Sequence, residues 1–177
     1  MENGKIVIDK IKFMEKQGKI KIDFKNDGDT NGGQFSGIYS EPAAPVFYQT
    51  MSDLKGSVKN ILELPDGIEY RLIPFAVTYH YNAEGRMGAI ITSRLTIPDL
   101  GNETVIQTPM MKCYEGGNDE DKCFTEGTAK KLWALEKEAQ RYLAGERAQT
   151  NLFDEEQQPK ETTDAPALEE DVKMVEG

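Results

Sequence analysis

The sequence predicts an α+β domain in which two antiparallel β-hairpins form a mainly antiparallel sheet that carries two helices, followed by a disordered acidic C-terminal tail. Three observations predict it: two segments of alternating or β-branched residues, one amphipathic segment between them, and a second amphipathic segment after them. The chain has 177 residues, which suits one domain with an appendage. We place the domain at residues 1–146 and the flexible tail at residues 147–177.

The first hairpin is predicted from residues 6–13 and 19–25. The apolar phase of its first strand slips at Asp9, which indicates a β-bulge. After a turn at Gly18, charged and apolar residues alternate, so one face of the second strand should enter the core. The residues of that face are Ile20, Ile22 and Phe24. A further short strand is expected at residues 35–39, after a polar loop.

The residue pattern in the middle of the chain predicts a helix followed by the second hairpin. Pro45 suits the first turn of a helix. Apolar residues then recur at steps of three and four, and these are Phe47, Met51, Leu54, Val58 and Ile61. Residues 68–81 and 86–97 are rich in aromatic and β-branched residues around a turn, as expected for two paired strands. Pro74 indicates that its strand lies at an edge or contains a bulge.

The last helix should begin after residue 125. Residues 98–124 show no clear periodicity, and we expect them to be irregular. Thr125 or Thr128 can cap the helix, and Gly145 suits its C-terminal end. Its apolar face is predicted to contain Ala129, Leu132, Leu135 (or Trp133), Ala139, Tyr142 and Leu143.

Charge is spread unevenly along the chain. The formal net charge is −10. Residues 154–177 hold nine acidic residues and two lysines, a net −7, which leaves −3 for residues 1–153. Low hydrophobicity and high charge predict that residues 154–177 are disordered and dispensable for folding.

Composition also indicates where the protein works. No apolar run approaches the roughly 20 residues that a membrane helix needs. The N-terminus carries no signal-peptide pattern. We therefore expect a cytoplasmic protein, in the bacterial host cytoplasm if a phage encodes it, and no membrane partner.

No pattern typical of an enzyme is present. The sequence has neither a phosphate-binding loop nor a nucleophile elbow. His80 is the single histidine, and Cys113 could act as a nucleophile only if His80 came beside it. Cys113 and Cys123 lack zinc-ligand spacing, and the Asp-rich loop at residues 26–32 lacks the later Glu of a calcium loop. We expect no enzymatic activity, no cofactor and no metal; whether the two cysteines pair stays open.

The first hairpin could bind single-stranded DNA. Its lysines are Lys10, Lys12, Lys19, Lys21 and Lys25. Tyr79 and Tyr81 on the second hairpin could add stacking, and a groove for single strands combines cations with aromatic faces. The alternative is that the lysines keep a sheet face soluble and protect an edge strand.

Five residues at the start of the tail form a motif. Gln149-Thr150-Asn151-Leu152-Phe153 resembles the linear motif by which bacterial replication and repair proteins bind the DNA polymerase sliding clamp. Gln149, Leu152 and Phe153 occupy its anchor positions. The resemblance implies that Leu152 and Phe153 enter an apolar pocket of the clamp and that Gln149 hydrogen-bonds at the rim. The alternative is that Leu152 and Phe153 pack back onto the last helix.

A wider resemblance covers most of residues 5–153. The two hairpins, Ile-Gln-Thr-Pro at residues 106–109 and the ending from Tyr142 to Phe153 are similar to small uncharacterised proteins of bacteriophage replication and recombination gene clusters. This resemblance implies a phage or prophage origin and brings no known activity.

Together these features predict a non-enzymatic accessory protein of DNA replication or repair, recruited to or inhibiting the sliding clamp. One alternative is a single-stranded DNA-binding protein whose acidic tail regulates binding. Another is a phage inhibitor of a host defence or replication protein. The oligomeric state is left open, with a homodimer among the options.

Overall fold

The computed structural model describes residues 4–27, 33–112 and 123–148. Within these ranges the strands are β1 (Lys5–Met14), β2 (Lys19–Asp27), β3 (Gln34–Tyr39), β4 (Leu72–Tyr81), β5 (Met87–Ile97), β6 (Asn102–Gln107) and β7 (Met111–Lys112). The α-helices are α1 (Pro45–Ser52), α2 (Lys55–Ile61) and α3 (Glu126–Leu143).

The strands form one antiparallel sheet. Its order is β3-β2-β1-β4-β5-β6, and β7 also pairs with β5. The two predicted hairpins, β1–β2 and β4–β5, are joined where β1 pairs with β4. The predicted α+β class is confirmed.

Both predicted strand irregularities are present as breaks in register. One lies between Ile8 and Lys10, and the other between Pro74 and Ala76. Proline cannot donate a ladder hydrogen bond, so a bulge makes Pro74 tolerable in a strand that has neighbours on both sides. Each bulge also changes which side chains face the helices, because residues alternate between the two faces of a strand.

The described helices pack on one face of the sheet. The hydroxyl of Tyr79 donates to the carbonyl oxygen of Leu132 in α3, at 2.8 Å. The buried hydroxyls of Ser57 in α2 and Thr128 in α3 are 2.8 Å apart. The opposite face of the sheet, which we call the open face, carries none of these helices.

The single helix predicted after Pro45 is divided in two. Helix α1 ends at Ser52 and α2 begins at Lys55, with Leu54 bonded through its amide to the carbonyl of Met51, three residues earlier. This tighter turn reorients the chain without losing the apolar stripe. Leu54 and Val58 are both fully buried.

The expectation that residues 98–124 are irregular is wrong for residues 102–107 and 111–112, which form β6 and β7. Gly101 adopts a left-handed conformation with φ of 61°, which closes a tight turn and returns the chain beside β5. Strand β6 is an edge strand whose residues are mostly exposed. It therefore lacks the apolar alternation by which strands are predicted.

Helix α3 follows the prediction closely. The side chain of Thr125 accepts a hydrogen bond from the amide of Thr128 and caps the helix. Leu135 is fully buried, whereas Trp133 is 46% exposed, which decides between the two predicted core positions.

Several sequence predictions fall outside the described residues. These are the greater part of the Asp-rich loop, Cys113, the motif residues Gln149, Leu152 and Phe153, and the acidic segment 154–177. Among the described helices, none combines the length and the apolar character needed to span a membrane.

Candidate functional site

A groove of about 600 Å³ lies on the open face of the sheet. Strand alternation puts lysines here, because their neighbours Ile11 and Ile22 are fully buried under the helices. The groove is lined by the charged residues Lys10, Lys21, Lys25, Asp9 and Asp23 and by residues 78–81 of β4, which include Tyr79, His80 and Tyr81. Three of the five lysines predicted to bind nucleic acid therefore meet in one groove.

A fourth predicted lysine lies on the same face. Lys12 sits directly opposite Lys21 in the β1–β2 register. Like charges in such cross-strand pairs repel each other, so this pair raises the local positive potential. On its other side, Lys12 is paired in register with Ala76 of β4, which is only 3% exposed.

Carboxylates are interleaved with these lysines. The ammonium of Lys25 lies 3.8 Å from a carboxylate oxygen of Asp9, and that of Lys21 lies 3.7 Å from Asp23. Asp23 also accepts a hydrogen bond of 2.5 Å from Ser36. Such exposed pairs are weak, so a phosphate could displace them at little cost. Lys10 has no ion pair with any described residue.

The fifth lysine lies apart from the groove. Lys19 is at the turn end of the first hairpin, where it lines a second cavity beside α1. It is therefore not grouped with the other lysines of the hairpin.

Tyr79 and Tyr81 belong to the part of β4 that lines the groove, but their hydroxyls bond to α3, so their rings project from the opposite face of the sheet. The ring of Tyr79 is 2% exposed beneath α3. The hydroxyl of Tyr81 donates to the carboxylate of Glu136 in α3, at 2.6 Å. Burial raises the pKa of Glu136, and the hydrogen bond from Tyr81 partly offsets that rise. Neither tyrosine is placed to stack on a base that the open-face lysines hold.

The C-terminal end of α3 is bound to the body by Arg147. Its guanidinium lies 3.7 Å from the centre of the Tyr142 ring. It also donates to the carboxylate of Glu41 at 2.5 Å and to the main-chain carbonyl of Tyr142. The Tyr142 hydroxyl in turn donates to the carbonyl oxygen of Glu41 at 2.6 Å, and burial raises the pKa of this phenol.

The chain remains attached one residue further. The amide of Ala148 donates to the carbonyl of Pro42 at 3.1 Å. The sequence assigns residues 147–148 to the tail, but both contact the body. Gly145 was the available signal: its φ of 104° turns the chain back over the last helical turn, where Arg147 meets Tyr142.

Metal-ligating side chains do not cluster within residues 4–27, 33–112 and 123–148. No group of three or more His, Cys, Asp or Glu side chains in these ranges could hold a metal ion. His80 is exposed on β4, and Cys123 is half-buried before α3.

No protein-family model matches the chain, and neither a curated protein nor a solved structure shows significant similarity to it.

Proposed function

We propose that this protein is a non-enzymatic accessory factor of DNA replication or repair, encoded by a phage, that binds the bacterial sliding clamp through Gln149, Leu152 and Phe153. Leu152 and Phe153 fill an apolar pocket on the clamp, and Gln149 hydrogen-bonds at its rim. The open face of the sheet is left to contact a second partner.

The attachment of Ala148 to Pro42 is the observation that best supports this proposal. This hydrogen bond holds the chain against the body as far as Ala148, the residue that precedes Gln149. Ala148 is half-buried at the edge of the body, and the motif follows it directly in the sequence. A linear motif acts only where a partner can reach it, and chain segments that follow the last ordered element are the ones that partners most often reach.

The affinity should be modest. Each buried anchor contributes about 1.5–3 kcal/mol before the cost of ordering the peptide. A single short peptide is then expected to bind in the micromolar range, about −8 kcal/mol or weaker.

Fluorescence anisotropy of a labelled peptide spanning residues 146–156, titrated with bacterial sliding clamp, tests the proposal. Leu152→Ala with Phe153→Ala should abolish binding by the peptide and by the full chain. Leu100→Ala with Val105→Ala is the matched control, because both residues are exposed apolar side chains on the body. Absence of binding by the intact protein at tens of micromolar, the weak end of the plausible range, would refute the proposal.

A second candidate function is binding of single-stranded DNA by the open face. The observation that favours it is the groove that brings Lys10, Lys21 and Lys25 together, with Lys12 on the same face. The groove would hold the phosphate backbone. Because Tyr79 and Tyr81 lie on the other face, this binding would depend mainly on charge, and Phe35 is an exposed aromatic residue among those that line the groove.

A further inference from the structure

A second cavity, of about 340 Å³, opens at the turn end of the first hairpin, between the sheet and α1. We call it the hairpin-end pocket. Its floor is apolar and includes Phe13, Ile20 and Met51, each less than a tenth exposed. Tyr48 of α1 forms one wall, with its ring 5.2 Å from that of Phe13. The pocket can therefore accept apolar side chains.

Two cations stand at the rim of the hairpin-end pocket. They are Lys19 of β2 and Lys55, the first residue of α2. Neither forms an ion pair with another residue of the described chain. The carboxylate at the rim, Glu15, is already engaged by Arg94. The rim is thus left with two positive charges above an apolar floor.

The C-terminal segment leaves the body beside this pocket. Pro42, which binds the amide of Ala148, is followed by Ala43, whose own amide donates to the Tyr48 hydroxyl at 3.1 Å. Along the sheet, the guanidinium of Arg147 lies 6.0 Å from the centre of the Tyr39 ring. Tyr39 pairs with Ile20 of the pocket floor.

The distance to be covered is short. The amide of Ala148 and the hydroxyl of Tyr48 bond to the two polar atoms of one peptide group, between Pro42 and Ala43, so Ala148 lies within about 9 Å of the Tyr48 hydroxyl at the pocket wall. Leu152 is four residues beyond Ala148, which in extended conformation spans up to about 13 Å. Leu152 can therefore reach the wall formed by Tyr48, whose ring lies 5.2 Å from that of Phe13 on the floor.

The sequence of that segment complements the pocket. Two apolar residues, Leu152 and Phe153, are followed at once by three carboxylates, Asp154, Glu155 and Glu156. Apolar anchors suit the floor, and carboxylates suit a rim whose lysines are unpaired. No basic residue interrupts residues 149–156.

We propose that the hairpin-end pocket binds residues 152–156 of its own chain, with Leu152 and Phe153 on the floor and the acidic run at Lys19 and Lys55. The same two anchors then serve either the pocket or the sliding clamp, but not both at once. This second statement, the competition, rests on the proposed clamp function; the intramolecular contact does not.

The contact is measured directly on the full-length protein, without any clamp. The probe is the methyl resonances of Ile20, Met51 and Ile73, all of which line the pocket. Leu152→Ala with Phe153→Ala should shift these resonances. The methyl of Ile90 is the internal control, because its register partner Thr78 lines the groove of the open face. Unchanged resonances at all three pocket methyls would overturn the contact, whatever the clamp titration gives.

Competition is measured by titrating clamp against charge-reversed full-length variants. Lys19→Glu with Lys55→Glu should release the segment and tighten clamp binding by about 5-fold or more, because the competent fraction rises. Lys131→Glu with Lys137→Glu makes the same charge change on exposed positions of α3 and should leave the affinity unchanged.

The two measurements separate the two proposals. Equal affinities for both charge reversals would overturn the competition, even where the pocket methyls respond to the alanine substitutions. Absence of clamp binding by every variant would overturn the proposed function and the competition, and the methyl resonances would still decide whether the pocket holds the segment.

Discussion

Glu136 brings a carboxylate to the boundary between α3 and the sheet. It is half-buried and accepts the hydroxyl proton of Tyr81 at 2.6 Å. Burial raises its pKa, because the charged form loses solvation that one hydrogen bond does not replace. A carboxyl whose pKa is higher in the folded state stabilises the fold below its unfolded pKa, and this stabilisation is lost as pH rises through the folded pKa.

Glu136→Gln should therefore raise the thermal midpoint at pH 7, by roughly 1–2 °C for a protein of this size. The amide keeps an oxygen that can accept from Tyr81 and carries no charge to bury. The difference from the wild type should shrink as pH falls below 4.5, the ordinary pKa of this carboxyl, because Glu136 then becomes protonated in both states. Thermal melts at several pH values measure it.

Glu126→Gln is the control for this substitution on the same helix. A hydrogen bond from Lys130, at 2.7 Å, lowers the pKa of Glu126, so the sign is opposite. Its replacement should not raise the midpoint at neutral pH. The account of Glu136 is contradicted if Glu136→Gln lowers the midpoint at pH 7, or if its advantage grows on acidification.

Residue positions were predictable from the sequence where alternation was unbroken. Ile20 and Ile22 were assigned to the core correctly. Tyr79 and Tyr81 could not be assigned to a face, because nearly every residue of β4 is apolar or aromatic and the bulge after Pro74 shifts the phase within the strand. The contact of Arg147 with Tyr142 depends on the turn at Gly145, which periodicity does not describe.

At the scale of elements, the strands that bury one face were predicted and the exposed edge strand was not. In hairpin β1–β2 apolar and charged residues alternate, and the break in this alternation marks the bulge. The register of the hairpin can therefore be predicted from the sequence. Strand β6 is held mainly by its hydrogen bonds to β5, which no side-chain pattern reports. The division of the helix after Pro45 could not be predicted from the sequence either, because α1 and α2 share one continuous apolar stripe.

Hairpin β1–β2 should bind single-stranded DNA in a strongly salt-dependent way, if its lysines contact phosphates. Lys10→Ala with Lys12→Ala should lower the slope of log K against log salt by about 1.4, since each phosphate contact on a single strand contributes roughly 0.7. Removal of residues 154–177 should tighten binding, because it removes a competing charge of −7. Anisotropy at several salt concentrations measures both effects.

Lys131→Ala with Lys137→Ala is the matched pair, on exposed positions of α3. It should leave the salt slope unchanged. If the tailless protein fails to bind at low salt, the lysines of the open face serve only to keep that face hydrated.

At the scale of the whole molecule, charge and folding are divided between two parts of the chain. Residues 1–153 carry −3 and include every described element, whereas residues 154–177 carry −7. The described core draws its buried side chains from the sheet and from all three helices. We therefore expect this core to form without residues 157–177.

Truncation after Glu156 should therefore change the thermal midpoint by less than about 1 °C, because residues 157–177 are too polar to offset the entropy of ordering them. Differential scanning calorimetry of the truncated and full-length chains measures the change. A loss of several degrees would show that the distal tail binds the body and contributes to its stability.

The attachment of Ala148 to Pro42 also sets how densely this protein can be arranged on another molecule. A body of about 145 residues has a radius of gyration near 15 Å, and here it would sit against whatever surface binds Gln149. On a ring with several equivalent pockets, the number of bound copies would then be limited by the width of the body and not by the number of pockets. A spacer of ten glycine and serine residues after Ala148 would move the body away and raise the number of copies that one ring can carry.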